Sequence, residues 1–95
     1  MMENLGKVLI VDDNEDVLYA LNLLLEPYAE MIRVAKVPEK TDFFMKEFNP
    51  DIILLDMNFR KDAISGQEGF EWLEKILAKD KDAVVILMTA YGDTE

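Results

Sequence analysis

Four short apolar runs divide the chain into strand-like and helix-like segments. The runs cover residues 7–11, 31–37, 52–55 and 83–88 and are rich in valine, isoleucine and leucine. Short runs of this composition, bounded by polar or turn-forming residues, indicate buried strands. The sequence therefore predicts four strands separated by three intervals.

The three intervals have the periodicity of amphipathic helices, with apolar residues three or four positions apart. The first helix is predicted over 15–25, with Asn14 in position to cap its first turn. The second begins at Pro38 and ends at about Phe48, because Asn49-Pro50 interrupts the pattern. The third follows a polar stretch and has four apolar residues on one face, namely Phe70, Leu73, Ile76 and Leu77.

Strands and helices alternate along the chain, and the first, third and fourth strands are apolar at successive positions. Such strands are typical of a parallel sheet that is covered by helices on both faces. The sequence therefore predicts an α/β fold with a doubly wound parallel sheet. With 95 residues and no repeat or linker composition, we expect residues 1–95 to form a single domain.

The composition excludes several classes of site and partner. The chain has no cysteine and no histidine, so thiolate metal sites, disulfides and histidine-based catalysis are excluded. Twenty acidic against ten basic residues give a formal charge of −10, which disfavours direct binding to nucleic acid or to an anionic membrane. Because neither a signal peptide nor an apolar run of about 18 residues is present, we expect a cytoplasmic protein without membrane contact.

The candidate chemistry lies in aspartates at the ends of two predicted strands. Asp12 and Asp13 follow the first strand, and Asp56 follows the third. Ligands bind at the carboxyl ends of the strands in such sheets, and if the first and third strands are neighbours, we expect these three carboxylates to converge there. Two carboxylates 4 Å apart repel each other by about 4 kcal/mol at an effective dielectric constant of about 20, which favours a bound cation. An all-oxygen set suits Mg²⁺ or Mn²⁺, although acidic residues can also simply begin loops and cap helices.

A calcium loop of the EF-hand type is excluded at this position. Asp12, Asn14 and Asp16 have the spacing of its first ligands, but Val17 and Leu23 occupy the positions of its glycine and glutamate. A hard cation held by few protein ligands therefore remains the expectation.

An aspartate beside a divalent cation can attack a phosphoryl group, which makes Asp56 a candidate nucleophile. Aspartyl-phosphate hydrolases need a second aspartate two residues further on, and Asn58 occupies that position. The chain therefore lacks the acid for a departing alcohol. We expect it to accept phosphoryl from an activated donor such as phosphohistidine and not to be a turnover enzyme; a metal-dependent phosphatase would need an acid that the sequence does not reveal.

Three segments in this order, 8–14 (VLIVDDN), 50–58 (PDIILLDMN) and 85–92 (VILMTAYG), resemble the receiver domains of two-component response regulators. The resemblance implies a flavodoxin-like sheet with strand order 2-1-3-4. It implies that Asp56 is the phosphoacceptor and Thr89 the switch residue. The implied metal ligands for Mg²⁺ (or Mn²⁺) are Asp12, Asp13, Asp56 and the main-chain carbonyl of Asn58. The implied partner is a sensor histidine kinase, and the implied output is a separate domain that regulates transcription.

The sequence departs from the family pattern in two places. Residues 58–67 form a longer loop without proline, which resembles the receivers that precede sigma-54-dependent transcriptional activators. The chain ends at Glu95, so we expect a receiver domain that is incomplete at its C-terminal end, without the fifth strand and its lysine. The fourth strand would then be an uncovered edge through which two copies could form a homodimer. The alternative function is a pseudo-receiver that is not phosphorylated and serves as a protein-interaction module.

Overall fold

A computed structural model of the protein describes residues 4–56 and 67–88 and contains all the predicted strands and helices. The strands are β1 (Lys7–Val11), β2 (Met31–Ala35), β3 (Ile52–Asp56) and β4 (Val84–Met88), and the helices are α1 (Glu15–Leu25), α2 (Thr41–Glu47) and α3 (Gln67–Lys79). All strand pairs are parallel, and the order in the sheet is β2-β1-β3-β4. The predicted doubly wound α/β fold and its strand order are confirmed.

Four predicted boundaries were wrong by one to three residues, one of them at the end of β3, which extends to Asp56. β2 ends at Ala35 and not at 37, because Ala35 is the last residue in register with β1. The segment from Pro38 to Lys40 is a 3-10 turn, so the predicted helix is split and α2 begins only at Thr41. β4 begins at Val84, one residue later than predicted, because the Ala83 amide donates to the Asp80 carbonyl in a turn, with an N–O distance of 3.1 Å.

The strands alternate side chains between two apolar layers, one on each face of the sheet. In the layer between the sheet and helices α2 and α3, the buried residues are Leu9, Val11, Ala35, Ile53, Leu55 and Ile76. In the layer between the sheet and α1, the buried residues are Val8, Ile10, Leu18 and Leu54. Because both faces of β1 and β3 are buried, these two central strands form a rigid base for the residues at their ends.

The fourth strand is not buried on both faces, contrary to the prediction. Two of its three side chains on the α1 face, Val84 and Ile86, are 52% and 49% exposed, while the third, Met88, packs against the layer under α1. On the opposite face, Val85 and Leu87 pack against the layer under α2 and α3. The difference arises because the apolar layer under α1 centres on β1 and β3 and reaches β4 only at Met88.

A glycine and an aspartate fix the alignment of β1 and β3 at the end of the sheet where both strands begin. The Lys7 amide donates to Asp51 Oδ2 at 2.8 Å, and the Asp51 amide donates to the Lys7 carbonyl at 2.7 Å. Gly6 has a φ of 81°, and a Cβ at this position would lie 2.3 Å from the same Asp51 oxygen. Glycine adopts this positive φ without strain and leaves room for the Asp51 carboxylate, which links the start of β1 to the start of β3.

None of the helices within the described residues is long and apolar enough to cross a membrane.

Candidate functional site

Asp12 lies at the point where the chain leaves the sheet. Its amide donates to the Ala35 carbonyl at 3.0 Å, which extends the hydrogen bonding of β1 with β2 by one residue. Its Oδ1 accepts a hydrogen bond from the Asn14 amide at 2.9 Å. The side chain is 7% exposed, so a carboxylate is held almost completely buried at the end of β1.

The start of α1 turns the chain sharply after Asp13. Asn14 Oδ1 accepts hydrogen bonds from the amides of Asp16 and Val17, at 2.9 and 3.3 Å, and so caps the helix as predicted. The helix therefore begins directly after the strand. This short connection leaves the exposed Asp13 side chain at the same edge as its buried neighbour.

Asp56 is the last residue of β3 and is 5% exposed. In the register of β1 with β3, Val11 is opposite Leu55. Asp12 follows Val11 directly, and Asp56 follows Leu55, so the two aspartates lie side by side at the ends of neighbouring strands. Two buried carboxylates therefore lie at one edge of the sheet.

The three aspartates form one cluster. A carboxylate oxygen from each of Asp12, Asp13 and Asp56 lies within 4.8 Å of the other two. The predicted convergence at the carboxyl ends of the strands is confirmed. The alternative in which these residues only begin loops and cap helices does not account for a cluster with two of its three members buried.

The cluster is electrostatically costly without a cation. Burial raises the pKa of the Asp12 carboxyl, and the negative charge of Asp13 raises it further. The hydrogen bond from the Asn14 amide lowers this pKa, but it does not offset the two other effects. Three oxygen donors within reach of one ion are the ligand type that Mg²⁺ and Mn²⁺ prefer. The residues present therefore fit a hard divalent cation.

Lys36, at the end of β2, forms an ion pair with Glu15 and not with an aspartate of the cluster. Lys36 follows Ala35 at the end of β2, and its Nζ lies 2.5 Å from Glu15 Oε2 at the start of α1. The hydrogen bond and the charge of Lys36 lower the pKa of the Glu15 carboxyl. Sequence reasoning missed this ion pair because its partners are 21 residues apart and no helical spacing links them.

Two of the predicted site residues, Asn58 and Thr89, lie outside the described residues. The longer loop that follows the third strand also lies there for the most part. The roles of the Asn58 carbonyl and the Thr89 hydroxyl therefore stay predictions.

The comparison with known proteins agrees with the geometry. The family model "Response regulator receiver domain" matches residues 8–95. Sporulation initiation phosphotransferase F of Bacillus subtilis is 36% identical over 91 residues, which cover 94% of the chain and 68% of that protein. The chain also matches transcriptional regulatory protein YxdJ of the same organism, with 26% identity and only 38% of that protein covered.

Two solved structures, at 37% and 32% identity, show the same fold. The N-terminal signal receiver domain of a response regulator from Bacteroides fragilis is 37% identical, with a TM-score of 0.76. That match covers 88% of this chain and 65% of the other, so the chain spans somewhat less than two thirds of that domain. The response regulator TrrA from Thermotoga maritima, solved with Mg²⁺-BeF, is 32% identical with a TM-score of 0.74, covering 92% of this chain and 71% of the other.

Proposed function

The chain belongs to the response regulator receiver family, and we propose that it accepts a phosphoryl group on Asp56 from the phosphohistidine of a sensor histidine kinase. Members of this family are phosphoacceptor signalling modules rather than turnover enzymes. We propose that the phosphorylated form of this chain, with the phosphoryl group on Asp56, is the form that transmits the signal.

The observation that carries the proposal is the three-aspartate cluster, in which Asp56 is buried beside Asp12 and close to Asp13. A single strand-end aspartate could serve a structural purpose. Three aspartate carboxylates within 4.8 Å of one another favour a bound positive charge. A phosphoryl-transfer site needs such a charge to receive an anionic phosphoryl group.

In the proposed reaction, a carboxylate oxygen of Asp56 forms a bond to phosphorus while the bond from phosphorus to the imidazole nitrogen breaks. The electron pair of the broken bond stays on that nitrogen. When the other ring nitrogen carries a proton, the group leaves as neutral imidazole and needs no acid from this chain, which agrees with Asn58 in the position where hydrolases carry a second aspartate.

The protein groups would contribute position and charge. We propose that Asp12, Asp13, Asp56 and the Asn58 carbonyl hold Mg²⁺, or Mn²⁺ in its place. When bound, this ion would neutralise the carboxylates and the incoming phosphoryl oxygens. The Asn14 amide holds Asp12 in place by donating to its Oδ1. We assign Thr89 the role of the hydroxyl that responds to the phosphoryl group. TrrA, a relative 32% identical, was solved with Mg²⁺-BeF, which supports this choice of ion.

We propose a cytoplasmic location, since the histidine kinase partner would present its phosphohistidine there. One curated relative is named a phosphotransferase and another a transcriptional regulatory protein. Onward transfer of the phosphoryl group and control of transcription by an attached domain are therefore both compatible with the chain. We propose transcription as the output, and identification of the polypeptide attached to the receiver in the cell tests this part of the proposal.

Titration with beryllofluoride and Mg²⁺ tests the site, with binding followed by the intrinsic fluorescence of Trp72 or by calorimetry. We expect saturable binding that needs both components and is lost in Asp56→Asn. Asp82→Asn is the matched control, because Asp82 is exposed and lies in the turn before β4, at the end of the sheet away from the cluster. Failure of the wild-type chain to bind would contradict the proposal and favour a pseudo-receiver that acts only through protein contacts.

A further inference from the structure

Lys36 lies beside Asp12 at the carboxyl end of the sheet. In the register of β1 with β2, Val11 is opposite Ala35, and the Asp12 amide donates to the Ala35 carbonyl at 3.0 Å. Asp12 and Lys36 are therefore the next pair in this register. Because β1 also pairs with β3, the residues Lys36, Asp12 and Asp56 follow one another in a row across three neighbouring strands.

The Asp12 carboxylate is within reach of the Lys36 side chain. Neighbouring strands lie about 4.8 Å apart, and the four-carbon stem of a lysine spans such a distance. Asp12 is buried next to two other aspartates, so a nearby positive charge would favour its ionised form. An ion pair between Lys36 and Asp12 would therefore relieve part of the repulsion in the cluster, but it would also place an ammonium group where a metal ion is expected to bind.

Glu15 draws Lys36 away from this position. The Lys36 Nζ lies 2.5 Å from Glu15 Oε2. Glu15 is in the first turn of α1, so the contact ties the end of β2 to the start of that helix. The charges and hydrogen bonds that act on the Asp12 carboxyl come from Asp13 and Asn14, and Lys36 is not among them. Both side chains of the ion pair are exposed, so its main effect is on where the lysine charge lies and not on stability.

We propose that Glu15 is a positioning residue of the cation site, which holds the Lys36 ammonium away from the Asp12 carboxylate and so keeps the three aspartates available to a divalent cation. This inference rests on the proposed function, in which that cation prepares the cluster for phosphoryl transfer. A lysine on the neighbouring strand competes for the same carboxylate from within the molecule, which gives it a high effective concentration. Without Glu15, Mg²⁺ would have to displace Lys36 before it could bind.

Calorimetric titration of the 95-residue chain with Mg²⁺ tests the proposal. Glu15→Gln should weaken Mg²⁺ binding about tenfold, the factor by which a nearby opposite charge favours an ionised carboxylate. Asp16→Asn is the matched control, because it removes an equal charge from the same turn of α1. It should weaken binding only about twofold, since an exposed charge without a role in holding Lys36 acts on the ion through screened solvent.

Substitution of Lys36 separates positioning from a purely structural role of the ion pair. The double variant Glu15→Gln, Lys36→Gln should regain the Mg²⁺ affinity of the wild-type chain, because no lysine is left to occupy the Asp12 carboxylate. Lys36→Gln alone breaks the same ion pair and should not weaken binding. Equal Mg²⁺ affinities of Glu15→Gln and Asp16→Asn, or a double variant as weak as Glu15→Gln, would overturn the proposal.

Urea unfolding in the presence of a chelator provides a second test that does not depend on Mg²⁺ binding. In the Glu15→Gln background, Lys36→Gln should lower the unfolding midpoint, and this loss should disappear when Asp12→Asn is also present, because the new ion pair joins Lys36 to Asp12. With Glu15 intact, the effect of Lys36→Gln should not depend on Asp12→Asn. The same Lys36–Asp12 coupling with and without Glu15 would overturn the inference. A wild-type chain that binds no Mg²⁺ yet shows the expected coupling would contradict the proposed function and support the positioning of Lys36 by Glu15.

Discussion

Asp12 and Asp56 end two neighbouring parallel strands, and both carboxylates are almost completely buried, with oxygens within 4.8 Å of each other. Folding thus brings together two groups that repel when ionised. This repulsion lowers the stability of the folded protein, but the arrangement provides the ligands for a cation. Such a cost in stability is common at binding sites. Its consequences can be measured in the absence of any kinase.

Asp12→Asn should stabilise the metal-free protein by about 1 kcal/mol, because it removes one buried charge from the cluster. Asparagine retains an Oδ1 that can accept the hydrogen bond from the Asn14 amide, so the turn after β1 should be preserved. Urea unfolding in the presence of a chelator measures the difference. Asp16→Asn, an exposed position on α1 outside the cluster, is the control and should not stabilise the protein.

The gain from Asp12→Asn should depend on pH. The pKa of Asp12 is raised in the folded state, so protonation of this carboxyl favours folding. Its unfavourable effect is fully present above the folded pKa, decreases as the pH falls towards the ordinary aspartate pKa, and is lost below that value. The stability difference between the variant and the wild-type chain should therefore be larger at about pH 7 than at the ordinary aspartate pKa of 3.8. A difference that does not change with pH would contradict this assignment.

Mg²⁺ should raise the melting temperature of the wild-type chain, because an ion that binds only the folded state stabilises it by mass action. Asp13→Asn should weaken this response, and Asp56→Asn should weaken it as well, since each removes a carboxylate of the cluster. Thermal unfolding at increasing Mg²⁺ concentrations provides the measurement. A Mg²⁺ response in Asp13→Asn equal to that of the wild-type chain would place the ion elsewhere.

Gly6→Ala should destabilise the fold by about 1–3 kcal/mol, because φ is positive at this position and a Cβ would collide with Asp51. The loss should also reduce binding of Mg²⁺, since the Gly6–Asp51 contact aligns the two strands that carry the site. Asn49→Gly is a useful contrast, because Asn49 also has a positive φ, of 54°. Glycine there should be neutral or slightly stabilising in chemical denaturation.

Thr41→Val should stabilise the protein by about 1 kcal/mol. Thr41 is 1% exposed, and its Oγ1 has no hydrogen-bond partner among the described residues. Valine keeps the shape of the side chain and removes an unsatisfied buried hydroxyl. Thr41→Ser is the opposite control, since it keeps the hydroxyl and removes the methyl group, and it should lower the unfolding midpoint.

Periodicity and strand-end chemistry predicted the fold and the aspartate cluster because both follow from local rules. Apolar runs determine the strands, and a parallel sheet places the ends of all its strands at one edge. The meeting of Asp12 with Asp56 also needs β1 and β3 to be neighbours, which the resemblance to receiver domains implied and the sheet confirms. The 3-10 turn at Pro38 and the pairing of Lys36 with Glu15 could not be predicted from the sequence, because they depend on tertiary contacts.

The exposure of apolar side chains was the least predictable feature. Phe43 and Phe70 have the helical spacing of core residues, yet they are 57% and 49% exposed. Phe48, at the end of α2, is buried and lies near Lys7 and Arg33. Hydrophobic patterning identifies the apolar side of an element but not how far the neighbouring layer extends over it. The same reason explains the open face of β4.

The most direct test of the central claim is phosphorylation of the purified chain by a small phosphoramidate, whose phosphorus–nitrogen bond resembles that of phosphohistidine. The products are analysed by intact mass spectrometry and peptide mapping. We predict the addition of one phosphoryl group to Asp56, which requires Mg²⁺, is lost in Asp56→Asn and is retained in the control Asp82→Asn. An unmodified wild-type chain, or modification that persists in Asp56→Asn, would contradict the account.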